Sequence, residues 1–242
     1  MQNHNSTSWR RNKLASALLV AFFMVSFIEI IAEYNEDKFL IWITKPLILP
    51  ILILYYLKRS KNINLFFIIA LFASWIANLF FIQSTFQFIT LGVFFFLIYR
   101  ILVIYIIVNK VKMPNSIPLV LGAIPFIFIY ALVTLYTYNT LGNSVYLFLI
   151  QGIFTIFLGG FSLGNFIMIS NKPNSLLLIS TMCMAFNQFL FLLKFYYSDV
   201  NILQASAMVL FVFGQFLLTK YMFHTEKIKH RYEIINNLTE NN

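Results

Sequence analysis

Few side chains in this sequence can do chemistry, and six that can stand inside apolar runs: Glu29, Lys45, Asn78, Arg100, Asn187 and Gln215. Lys45 is followed by Pro46 and Pro50 within the apolar stretch from Phe39 to Leu57. An ammonium inside a bilayer costs about 3 kcal/mol even on the lenient insertion scale, so such a lysine normally faces protein or water and belongs to a site. The plain alternative is a lysine that snorkels to the surface from near a helix end. The two prolines lack an N–H, which frees carbonyls one turn back to bend the helix or to accept from a neighbour. Arg100 is too deep to snorkel easily and asks for a lipid headgroup or a buried partner. Glu29 can pair with Lys45 or with Arg100, either structurally or as part of a site. Asn78, Asn187 and Gln215 are hydrogen-bonding glue between helices or the wall of a pocket.

Other chemistries are excluded. His4, His224 and His230 lie in tails or at a helix end, so no histidine can serve a buried metal or act there as a base. The single Cys183 forbids an internal disulfide and a multi-cysteine metal site. No cofactor and no metal is called for.

The elements that position these residues follow from composition. The chain is 60% hydrophobic and only 10% charged, with mean hydropathy +0.82. Apolar runs of about 20 residues recur throughout, which makes an all-α, polytopic membrane bundle. Eight spans are predicted, about 14–33, 39–57, 63–82, 86–108, 116–137, 144–170, 175–196 and 203–223, in a single transmembrane domain over 1–242. The first has basic flanks but no small-residue cleavage site, and it should remain as a helix. Basic residues gather at the N-terminus (Arg10, Arg11, Lys13), after span two (Lys58, Arg59, Lys61), after span four (Lys110, Lys112), after span six (Lys172) and in the tail. The alternate connections carry Lys38 with Glu36 and Asp37, Gln83 to Thr85, Asn139 to Asn143, and Asp199. The positive-inside rule then puts both termini in the cytoplasm, in a multi-pass protein of a cell membrane of the bacterial inner-membrane kind. The net charge of +9 is topology and no nucleic-acid footprint, although the basic tail can touch anionic headgroups.

Topology gives depth. At about 1.5 Å per residue, Glu29, Lys45 and Asn78 lie roughly 6 to 9 Å below the outer boundary. Asn187 and Gln215 fall near the middle, and Arg100 at or a little below it. All can meet in one pocket with its mouth on the outer side. In span six Gly159, Gly160 and Gly164 form a small-residue face suited to close helix contact.

These residues also carry a resemblance. Thr44 to Leu47, Ser74 to Phe80, Gly92 to Arg100, Phe186-Asn187 to Lys194-Phe195, and Gly214 to Leu217 resemble, in order and spacing, the YhhN family over nearly the whole chain. That resemblance implies an eight-helix lysoplasmalogenase, which hydrolyses the vinyl-ether bond of lysoplasmalogens to a fatty aldehyde and a glycerophospho-alcohol. Lys45, Pro46, Gly92 and Gln215 match the family pattern. Asn78 and Asn187 stand where the family has aspartates, Ala77 replaces a glycine, and Arg100 stands where histidine is common. Vinyl-ether hydrolysis needs a proton delivered to the enol carbon and an activated water, work for two carboxyls. An amide does neither. Glu29 is the carboxylate at a depth to take over, tuned by Lys45 or Arg100.

Three functions follow as expectations. One is a non-catalytic relative that binds a single-chain lyso or ether lipid through Lys45, Asn78, Arg100, Asn187 and Gln215, with membrane lipid as its partner. Another is an active hydrolase with a rebuilt site. The third is a small-solute transporter, for which paired halves are expected and no internal repeat is evident.

Overall fold

The computed structural model describes residues 3–83, 85–141, 145–196 and 200–240, with side chains placed for 13–83, 85–135, 146–194 and 200–226. Eight helices run through them: α1 (Asn3–Asn35), α2 (Lys38–Arg59), α3 (Leu65–Phe80), α4 (Phe86–Lys110), α5 (Ser116–Leu141), α6 (Val145–Met168), α7 (Lys172–Tyr196) and α8 (Asn201–Glu240). The described residues contain no strand. Seven of the helices are long and apolar enough to cross a membrane. The exception, α3, has 16 residues, about 24 Å at 1.5 Å each.

Turn chemistry sets where the helices begin. Glu36 takes a left-handed φ of 55° between α1 and α2. Asp37 then caps α2, its carboxylate accepting from the N–H groups of Phe39 and Leu40 at 3.1 Å. Asn64 caps α3 through Phe67 N.

Helix α1 packs on α2, α2 on α3, α3 on α4, α4 on α6, α6 on α7, α7 on α8 and α8 back on α1. These seven close a ring whose buried centre includes Phe22, Leu52, Tyr56, Phe67, Leu71, Ile107 and Tyr221. Helix α5 lies outside, against α6 and α7. Small residues let it sit close: a Cβ on Gly122 would fall 2.6 Å from the Gly160 carbonyl oxygen, and one on Gly164 2.9 Å from that of Pro118. The glycine face of α6 is thus a helix contact. The outward side of α5 exposes Ile117, Val120, Leu121, Ile124 and Phe128, as a helix facing lipid tails would.

Polar contacts tie the two ends of the bundle. At one end the Glu226 carboxylate accepts from Tyr56 OH at 3.1 Å, Ser60 Oγ at 2.9 Å and Lys61 N at 3.3 Å, while Lys110 Nζ donates to Thr225 Oγ1 at 3.1 Å. At the other, Lys194 Nζ lies 3.6 Å from Glu36 and Asn201 Nδ2 donates to Tyr34 O at 3.1 Å. The α2–α3 turn therefore shares its end with the Thr225–Glu226 part of α8, and the α1–α2 turn shares the opposite end with the start of α8. Of the polar connections expected from the sequence, Ser84, Asn143 and Asp199 lie outside the described residues.

Candidate functional site

Toward the α1–α2 end, side chains from α2, α4, α6, α7, α8 and the end of α3 line a partly open cavity of about 100 Å³. That is room for a few waters or a small polar group, well short of a whole lipid. Its polar wall is Lys45, Asn78, Thr90, Gln151, Asn187, Gln188 and Gln204, and the rest is apolar, with Phe81, Phe96, Phe148, Phe191 and Phe211. The wall carries one ammonium and no carboxylate.

Lys45 is 4% exposed and its charge is already engaged. Its Nζ pairs with Glu33 and lies 3.6 Å from Glu29 Oε1, and the Thr44 hydroxyl donates to Glu29 Oε2. Glu29 and Glu33 are four apart on α1 and so share the face turned to α2. The expected Glu29–Lys45 meeting is present, and Glu29 does not reach Arg100. Glu33, at the predicted end of its span, was not foreseen as a partner. Two carboxylates thus serve one buried cation, behind the wall rather than on it.

The prolines act locally as their chemistry requires. Pro50 has no N–H to return to the Pro46 carbonyl, and Trp75 Nε1 supplies that donor from α3 at 2.8 Å. This bond holds α3 beside Lys45 and brings Asn78, one turn below Trp75, to the wall. Asn78 Nδ2 donates to Ser74 O at 2.8 Å. Asn187 reaches the same cavity from α7.

Arg100 stands just behind the wall, 2% exposed. Its Nη1 donates to Gln188 Oε1 at 2.6 Å and to the Gln151 carbonyl at 3.2 Å, and its guanidinium carbon lies 5.7 Å from the centre of the Phe96 ring. Among the described residues it has no carboxylate partner.

Gln215 corrects the expectation of a shared pocket. It is fully buried, accepts from Tyr99 OH at 3.3 Å and donates to Ser74 Oγ at 3.1 Å, and it does not line the cavity. Its place is between α3, α4 and α8, the interhelical role of a membrane amide. The structure thus brings Lys45, Asn78 and Asn187 together, sets Arg100 and Glu29 one layer behind, and removes Gln215.

Sequence reasoning missed Gln151, Gln188 and Gln204. Each is a polar residue in an apolar run toward the α1–α2 end of its helix, the same signal that singled out Asn78. Gln151 is distinctive because Nε2 donates to Val93 O at 2.8 Å while Oε1 is buried with no partner; Gln204 Oε1 is likewise unpartnered.

Compared with known proteins, the chain matches the model of the YhhN family over residues 40–222. No curated protein and no solved structure gives a match.

Proposed function

The chain belongs to the YhhN family, and on that premise we propose that its cavity holds the polar end of a single-chain lyso or ether lipid, with hydrolase chemistry weakened or absent. The observation that carries this reading is the wall itself. Asn78 and Asn187 come from α3 and α7, far apart in sequence, and line one cavity, at the positions where the family resemblance implies aspartates. On this reading the family's pocket is kept while its proton-transfer groups are amides. Asn78, Asn187, Gln188 and Lys45 offer hydrogen bonds to a headgroup, and the surrounding phenylalanines exclude water. The protein then resides in a cell membrane, with lipid as its partner and no need of a cofactor or of nucleic acid.

A second reading rests on one contact. Lys45 joins the wall to Glu33 and Glu29, so carboxyls stand one group away from the cavity and could serve a rebuilt hydrolase. Purified protein in detergent decides between the two. The native chain should retain a lysoplasmenyl lipid through gel filtration and release no aldehyde from it. Asn78→Asp with Asn187→Asp should gain measurable aldehyde release, with Arg100→His added in case the fixed cation keeps both new carboxyls ionised. Robust turnover by the native chain would establish the second reading instead.

A further inference from the structure

We infer that Glu29, Glu33 and Lys45, packed between α1 and α2, form a proton-binding site: the two carboxyl groups hold one exchangeable proton between them. The site is separate from whatever the cavity binds. Both carboxyls belong to α1, which precedes residues 40–222 covered by the family match.

Charge counting requires a further positive charge. Glu29 is 0% exposed, Lys45 4% and Glu33 6%, so the fully ionised cluster would keep one net negative charge away from water. A buried group in that position neutralises itself by taking up a proton. Among the described residues no second cation reaches the pair. Helix α2 contributes Lys45 and the Thr44 hydroxyl. Helix α8, also packed on α1, contributes no ionic partner, and α3, packed on α2, has no titratable side chain. Lys194 is engaged with Glu36, and Arg100 with Gln188 and the Gln151 carbonyl.

Hydrogen-bond accounting shows the same deficit of one proton independently of charge. The Thr44 hydroxyl has a single hydrogen, yet its Oγ1 contacts two acceptors, Leu40 O at 2.7 Å and Glu29 Oε2. A proton on Glu29 Oε2 resolves this: the carboxyl donates to Thr44 Oγ1, and the hydroxyl donates to Leu40 O. Glu29 is also the carboxyl less engaged by Lys45. Its Oε1 is 3.6 Å from Nζ, beyond a good hydrogen bond, and is buried with no hydrogen-bond partner, whereas Glu33 meets Nζ directly. Glu33 then carries the negative charge that balances Lys45, and the proton is a property of the coupled pair.

The position gives this proton a consequence. Glu33 lies one turn before the α1–α2 connection at Glu36, and Lys45 lines the cavity. The cluster thus runs from the end of the bundle to the cavity wall. Loaded, it is neutral; unloaded, it places one negative charge behind the wall, which favours a cation in the cavity and disfavours an anion.

Infrared absorption of the full chain in detergent at neutral pH reads the proton, because a protonated carboxyl has a C=O stretch distinct from those of carboxylates and amides. Native protein should show that band, and the band should shift in D2O as the proton exchanges. Glu29→Gln and Glu33→Gln should each abolish it, since one carboxylate then balances one ammonium. Lys45→Met should about double it, because both carboxyls then take up a proton; if that variant does not fold, the two glutamine variants decide. A native spectrum without the band overturns the site, and if sodium at constant ionic strength then raises the unfolding temperature, a metal cation takes the proton's place. A band that persists in either glutamine variant, fails to grow in folded Lys45→Met, or stays unshifted in D2O also overturns the sharing of one exchangeable proton.

Discussion

At Lys45 the ratio of two carboxylates to one ammonium decides what each substitution does. Lys45→Met leaves Glu29 and Glu33 facing each other with no cation, and it should cost about 3 to 5 kcal/mol, as for other broken buried pairs. Glu29→Gln leaves a neutral Lys45–Glu33 pair, and the Thr44 hydroxyl can still donate to the new amide oxygen, so its cost should stay within about 1 kcal/mol. Lys45→Met with Glu29→Gln and Glu33→Gln should recover most of the loss. Unfolding in detergent measures all three, and a Glu29→Gln variant as unstable as Lys45→Met would contradict the sharing of one cation. The sequence already pointed to Glu29 and Lys45 because both charges fall inside apolar runs at one depth. Glu33 escaped notice because a carboxylate at a span's end reads as solvated. Only the pairing of α1 with α2 shows that it points inward. Arg100 was legible as buried, yet its partner was a glutamine from α7, and no spacing rule connects residues 100 and 188.

Helix α2 illustrates how an element is held by what it lacks. With residue 50 a proline, the Pro46 carbonyl depends on Trp75 Nε1 from α3. Trp75→Phe should therefore destabilise the protein by about 1 to 3 kcal/mol, the cost of an unsatisfied buried acceptor. Pro50→Ala gives that carbonyl an intrahelical N–H, and in that background the same Trp75→Phe change should lose most of its hydrogen-bond cost. A double-mutant cycle measured by thermal unfolding in detergent reads the coupling directly, and additive effects would show that the indole bond contributes nothing. The eight helices were readable from apolar length, and most begin and end within a few residues of the predicted spans, but α1 starts at Asn3 and α8 runs to Glu240, well beyond 14–33 and 203–223. The freed carbonyl was readable too, because proline chemistry is local. Its donor was not, since that depends on which face α3 turns toward α2. Gln215 shows the converse: its depth suited the pocket, but its rotation about α8 turned it to Ser74 and Tyr99.

For the whole molecule, the contacts at the two ends bear on how the bundle sits in a membrane. The short α3 must cross if eight helices are to return both termini to one side, although about 24 Å is less than a typical hydrocarbon thickness of about 30 Å. Its geometry supports a crossing: Asn64 N bonds Tyr56 OH at the Glu226 end, while Phe81, just past its last turn, lines the cavity near the opposite end. By the positive-inside rule the basic residues predict that the Glu226 end is the cytoplasmic one. Single cysteines at Asn62, Gln83 and Val200, placed in a Cys183→Ser background, test this with a membrane-impermeant maleimide on intact cells. Positions 83 and 200 should label from outside, and position 62 only after permeabilisation. Labelling of 62 and 83 from the same side would mean that α3 does not cross. Labelling of 62 alone would invert the bundle, place the cavity lined by Lys45, Asn78 and Asn187 on the cytoplasmic side, and make the inner leaflet the source of its ligand.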